Sequence, residues 1–167
     1  STKGTEMMRR APQGGGSSGS SGYWLPPTPA EVERAGRIGQ RGEELVYQME
    51  LERVREMGFA EPERYVIWTS RDEPGADHDI RSVDAEGRPR WLEVKSTTGT
   101  DGRFDWSRKE FEKAFRERER YELWRVYRAA DTAPVAKCFP NPARLLGNGR
   151  IALELGTLRA NIEDMSQ

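Results

Sequence analysis

Apolar residues recur at helical spacing from Ile38 to Met57, with Ile38, Leu45, Val46, Met49 and Met57 on one face. Thr28-Pro29-Ala30-Glu31 opens this helix: Thr28 suits the cap, Pro29 the first helical position, and Glu31 completes a capping box. Gly58 stops it. Gly36, Gly39 and Gly42 fall inside, each weakening a helix by roughly 1 kcal/mol relative to Ala. The strong part is therefore expected from Gly42 to Met57, with the stretch before it broken or loose. Tyr65 to Ser70 is rich in branched and aromatic residues and reads as a buried strand. Asp77 to Val83 and Arg90 to Ser96 read as two strands of a hairpin, joined through Asp84-Ala85-Glu86-Gly87. Ser107-Arg108-Lys109-Glu110 is a second capping box, and its helix runs to about Arg120 with Phe111, Ala114 and Phe115 inward. Tyr121 to Arg128 returns as a strand. Pro140-Asn141-Pro142 marks a loop with room for a short helix after it, and Ile151 to Leu155 is a further strand candidate. The order α-β-β-β-α-β predicts an α/β layer fold with a mixed central sheet flanked by helices.

The 167 residues fit one domain plus tails: a tail over 1–27, a domain over 28–158 and a polar tail over 159–167. Residues 14–22 are only Gly and Ser, the composition of a flexible linker, so the domain is expected to be tethered to another. One cysteine, Cys138, leaves no internal disulfide and no cysteine-built zinc site. No apolar run has the length of a membrane span, and no signal-peptide core is visible, so no membrane association and a cytoplasmic setting are expected. The net charge of −1 weighs against tight non-specific nucleic-acid binding but leaves room for a local basic cluster.

The candidate chemistry lies on the hairpin. With a side-chain period of two, Trp91, Glu93 and Lys95 share one face of their strand and Leu92 and Val94 the other. A face carrying an indole and two charges is expected to be covered. Asp79 on the paired strand can converge with Glu93 on one point. Two carboxylates there suit a hard cation such as Mg²⁺, with Mn²⁺ as a substitute. Lys95 is placed to orient a nucleophile or offset charge on a phosphate. Glu43 sits at the edge of the first helix's apolar stripe and can reach the same point, while Glu44 points to solvent. A lone Glu-x-Lys is more often a solvated cross-strand pair; the combination turns the reading. His78 should point away from Asp79 and serve packing or hydrogen bonding. For Ser96, Thr97 and Thr98, turn formation and phosphate contact both stay open. Lys109, Lys113, Arg116 and Arg120 form a stripe on the second helix; a solvated face paired with Glu112, Glu117 and Glu119 is preferred to a phosphate-tracking surface. Arg108 and Trp106 can contact nucleic acid, with packing an equal reading for Trp106.

Gly42-Glu43, Asp79-Ile80 and Glu93-Val94-Lys95, in that order and on those elements, resemble the PD-(D/E)xK nuclease superfamily, whose core is α-β-β-β-α-β. The stretch from Arg37 to Val126 more closely resembles the domain named after the C-terminus of the plant protein NO VEIN. That resemblance rests on Gly39 to Tyr47, Asp77 to Ser82, Trp91 to Gly99, Phe104 to Ser107 with Glu110, and Tyr121 to Val126. It implies an Mg²⁺-dependent nuclease acting on DNA rather than RNA. Asp79, Glu93 and the backbone carbonyl of Val94 would be metal ligands, Lys95 the catalytic lysine, and Glu43 an aid to water or a second ion. It also implies attachment to a helicase- or ATPase-like partner in a bacterial defence or restriction system. His78, not proline, precedes Asp79, which leaves Asp77 as a rival ligand. The alternative is a silent module of the same fold that binds nucleic acid or a partner protein.

Overall fold

The computed structural model describes residues 26–154. Helix α1, Pro29–Glu56, begins as its capping box requires: the Thr28 hydroxyl accepts from the Glu31 amide and the Glu31 carboxylate accepts from the Thr28 amide. The helix is continuous, so the expected break before Gly42 does not occur. Its first nine residues are all exposed, and packing starts near Ile38. Gly58 ends the element with φ 98°. The buried face is Gly42, Val46, Glu50 and Val54 with Leu51. Met49, expected inward, is exposed; four-residue steps from Gly42 drift away from it, because Gly42 makes the closest approach to the sheet.

Five strands follow: β1 Ile67–Trp68, β2 Ile80–Val83, β3 Pro89–Ser96, β4 Tyr121–Tyr127 and β5 Val135–Pro140. They lie side by side in chain order. All neighbours are antiparallel except β3 and β4, which run parallel. That pair needs a crossover, supplied by helix α3, Arg108–Glu117. The β2–β3 turn forms as expected: Asp84 Oδ1 accepts the amides of Glu86 and Arg88, and Gly87 takes φ 77°. The α-β-β-β-α-β order and the mixed sheet between helices are as the sequence predicts.

Several details differ. The Tyr65 to Ser70 strand shrinks to two residues on the sheet edge, and Thr69–Asp72 turns into a short helix, α2. The pairing ends at Trp68 with Ile80, beyond which the chain bends and the Ser70 amide donates to the Asp79 carbonyl. Strand β5 has no counterpart in the sequence pattern, and helix α4, Pro142–Gly147, fills the place of the expected short helix. Residues 151–154 form no strand, and Leu155 with the two polar tails lies outside the described residues. On one side of the sheet, α1 packs Val46, Leu51 and Val54 against Ile80, Leu92, Val94 and Val126. On the other side, α3 covers the face that carries Trp91, Glu93 and Lys95. Lys113 is buried there and Phe115 is exposed, the reverse of the expectation. The Trp91 ring and the Asp77 carboxylate draw Lys113 inward, at 4.6 Å to the ring centroid and 3.3 Å to Asp77 Oδ1.

Candidate active site

Strand β3 supplies the centre. Glu93 is almost fully buried, with its side chain on the α3 side of the sheet. Lys95, two residues on, turns back to it, Nζ to Oε1 2.8 Å. A second carboxylate holds the same ammonium: Glu110 of α3 accepts from Lys95 Nζ at 2.7 Å. Asp79 comes from the segment just before β2, where its Oδ2 accepts the Val94 amide at 2.7 Å. The side chain thus takes up a backbone donor at the end of the β2–β3 ladder and is fixed beside Glu93.

Glu43 arrives from α1. Its Oε2 accepts from Trp68 Nε1 at 2.8 Å and from Ser70 Oγ at 2.5 Å. Gly42 makes this approach possible: a Cβ there would stand 1.9 Å from Ser96 Oγ. The helix therefore sits directly on the C-terminal end of β3. Glu44 is exposed, as its place on the wheel implies.

The electrostatics follow from crowding acids in a dry place. Burial, and then the charge of Glu43, lifts Asp79 to about 7. Burial, and then the charge of Asp79, raises Glu93 well above the usual carboxylate range. Two such carboxylates titrate as a pair. Burial works against the Lys95 ammonium, but the charges of Glu93 and Glu110 outweigh it and hold its pKa up. Burial likewise raises Glu110, yet the Lys95 hydrogen bond and charge bring it below its ordinary value. Glu93 Oε2 is buried without a hydrogen-bond partner among the described residues. The charge of Glu93 acts on the Tyr121 phenol, which burial already raises.

The other candidates sort by their contacts. Asp77 is occupied elsewhere, paired with Lys113, Arg116 and His78. His78 lies between Asp77 and the Thr69 hydroxyl, in a hydrogen-bonding role. Thr97 closes a turn by accepting the Gly99 amide, and Thr98 is exposed. Ser96 faces Gly42 with its hydroxyl buried. Trp106 stacks edge-on against Phe111, which in turn lies beside Phe115. Along α3 and the 3₁₀ turn Arg118–Arg120 that follows it, Arg108 pairs with Glu112, Arg116 with Glu117 and Asp77, and Arg120 with Glu117, while Lys109 donates to the Gly75 carbonyl. These cations are mostly engaged within the domain. Glu110, named in the sequence among the residues that carry the family resemblance, was given no role at the site. It was legible as the third residue of a capping box, and nothing in the pattern pointed to its second bond.

The residues present fit a divalent cation of the Mg²⁺ type. Glu93 keeps one carboxylate oxygen free of any hydrogen bond, Asp79 stands beside it, and the proton affinity of both is raised by burial and then by neighbouring carboxylates, Glu43 for Asp79 and Asp79 for Glu93, a crowding that a cation would relieve. Among the described residues no group of three or more His, Cys, Asp or Glu side chains is arranged to hold a metal ion. Glu43, whose Oε2 is taken by Trp68 and Ser70, does not complete a third leg. Mg²⁺ commonly takes one or two carboxylates and keeps its remaining positions for other oxygens, so the two-carboxylate set suffices.

Fold and site together define a mixed α/β domain that crosses a buried carboxylate pair with a clamped lysine. The family model described as the C-terminal part of protein NO VEIN matches residues 42–139, more than half of the chain, and the protein belongs to that family. The matched stretch starts at Gly42 and reaches into β5, so it holds Glu43, Asp79, Glu93, Lys95 and Glu110. No curated protein and no solved structure matches the chain. None of the helices among the described residues is long and apolar enough to cross a membrane.

Proposed function

We propose that this domain is a metal-dependent nuclease that hydrolyses phosphodiester bonds, of DNA in preference to RNA. The observation that carries this reading is the buried Asp79–Glu93 pair, with a free oxygen on Glu93 and the Lys95 ammonium at its side. Asp79, Glu93 and the Val94 carbonyl would hold Mg²⁺ or Mn²⁺, which supplies Lewis-acid polarisation of the scissile phosphate and acidifies water. Lys95 presents a positive charge, kept protonated by Glu93 and Glu110, where negative charge builds on the phosphate. Glu43, held by Trp68 and Ser70, orients polar groups at the α1 side of the site.

A silent binding module is the rival reading, and the charge of the site speaks against it for nucleic acid. Glu93 and Glu110 clamp the single ammonium, with Asp79 and Glu43 close by, so the site offers a phosphate no free positive charge unless a cation is present. The α3 cations that could compensate are engaged with Asp77, Glu112 and Glu117. A tethered role in a larger defence or restriction-type protein is supported by the resemblance and by the Gly/Ser run at 14–22.

The test is incubation with single- and double-stranded DNA and RNA in Mg²⁺, Mn²⁺ or EDTA, beside calorimetric titration with Mn²⁺. Glu93→Ala should lose cation binding and cleavage together. Lys95→Ala should keep or strengthen cation binding and lose cleavage, because the ammonium repels the ion in the ground state but supports the transition state. Wild-type protein that binds no divalent ion and cuts nothing, also when joined to a partner domain, sinks the proposal.

A further inference from the structure

The Lys95 clamp and the α3 cap share one atom. Glu110 Oε2 accepts the Ser107 amide at 3.1 Å, which closes the capping box, and also accepts Lys95 Nζ at 2.7 Å. The reciprocal half of the box, the Glu110 amide to Ser107 Oγ, is present at 3.4 Å. Lys95 and Glu110 are both largely sheltered, with side chains 20% and 16% exposed, so water competes weakly for this bond. A capping box needs only an amide or carboxylate acceptor at its third position, and Gln serves as well as Glu. Helix capping therefore does not explain the charge at position 110. The charge acts on Lys95: without it, the ammonium would answer to Glu93 alone and could swing with that side chain.

We propose that Glu110 is the positioning residue of Lys95, so that the carboxylate which closes the α3 N-terminus also places the ammonium. The segment from Thr97 to Trp106, between β3 and α3, thereby becomes part of the site's assembly. Arg125 supports that geometry from β4: its guanidinium donates to the carbonyls of Lys95, Asp101 and Arg103. The effect on turnover rests on the nuclease reading; the placement of the ammonium does not.

Two substitutions separate the roles. Glu110→Gln keeps a cap acceptor and removes the charge. Ser107→Ala removes the cap hydroxyl and leaves the Glu110 carboxylate. In ¹⁵N-labelled full chain, the Lys95 Nζ signal, assigned by its loss in Lys95→Arg, persists only while the ammonium is held against exchange with water. Glu110→Gln should lose that signal, keep Tm within about 2 °C of wild type, keep Mn²⁺ binding, and lower turnover by roughly 10-fold or more. Ser107→Ala should keep the signal and lower Tm by roughly 2–8 °C. The proposal is overturned if Glu110→Gln retains the Nζ signal, if the two variants behave alike in signal and Tm, or if Glu110→Gln does not fold. A wild-type chain that cuts nothing would end the nuclease reading while the Nζ and Tm measurements still decide the role of Glu110.

Discussion

Gly42→Ala puts the seat of α1 to a quantitative test. The added Cβ would stand 1.9 Å from Ser96 Oγ, 3.1 Å from Ser96 Cβ and 3.4 Å from Val126 Cβ. Rotating the serine removes the first clash and leaves the second, so the helix itself must retreat by a few tenths of an ångström. Overpacking of this kind costs about 1–3 kcal/mol, against a gain of about 1 kcal/mol for Ala over Gly in a helix. The net is a loss of about 0–2 kcal/mol. Gly36→Ala and Gly39→Ala provide the internal reference. They lie in the same helix with nothing within 4 Å of the new methyl, so each should gain up to about 1 kcal/mol. Urea unfolding of the three variants at constant m reads the difference directly. The pair Gly42→Ala with Ser96→Gly, which removes both Ser96 atoms in the way, should recover part of the loss, giving a coupling energy in a double-mutant cycle. Retreat of α1 also draws Glu43 from Trp68 and Ser70, so Gly42→Ala should lower any cleavage activity more than its stability loss explains. A Gly42→Ala protein as stabilised as Gly36→Ala would refute the close seating.

The remaining expectations concern charges. Asp79, raised to about 7 in the folded chain from an ordinary 3.8, favours folding most below 3.8 and loses that contribution as pH rises through about 7. In EDTA, Asp79→Asn should therefore gain Tm relative to wild type between pH 5 and 8, and a constant difference would contradict the burial of that carboxylate. At pH 8, Mn²⁺ should raise the Tm of wild type and leave Asp79→Asn nearly unmoved, as scanning fluorimetry would show. Lys113→Ala removes both the Trp91 contact and an Asp77 partner, and should cost about 1–3 kcal/mol in chemical denaturation. Arg53→Ala strips the main partner from Glu50, which is 1% exposed, and should cost about 3 kcal/mol without altering Mn²⁺ affinity at the distant carboxylate pair.

What could be read from the sequence was what depends on local chemistry. Both capping boxes, the Gly58 stop, the Asp84–Gly87 turn and the shared face of Glu93 and Lys95 are set by neighbours within four residues, and all are found. What escaped depends on distant partners. Strand β5 carries Lys137 and Cys138 on an exposed sheet edge between prolines, so no alternation announces it, and only its pairing with β4 makes it a strand. Met49 and Phe115 match their helical stripes and still face solvent, because Gly42 and Lys113 set the rotation of their helices through contacts made across the fold.

The site itself shows why four motif positions were legible and the fifth was not. Glu93 and Lys95 belong to β3 and Asp79 to the residue just before the adjacent β2, so a period of two and a short turn suffice to bring them together. Glu43 needed only the wheel of α1. Glu110 reaches Lys95 through the parallel step from β3 to β4, because that step requires a crossover helix and the crossover lays the start of α3 over the end of β3. A carboxylate at the third position of such a helix already has a local capping role, which hides any other in one dimension. Its second role exists only once the sheet order is known. The same topology gives the lysine its protonated state: an ammonium 20% exposed among buried acids is held by charge from two elements rather than by contact with water. Removing either element's carboxylate should therefore change what Lys95 does before it changes whether the domain folds.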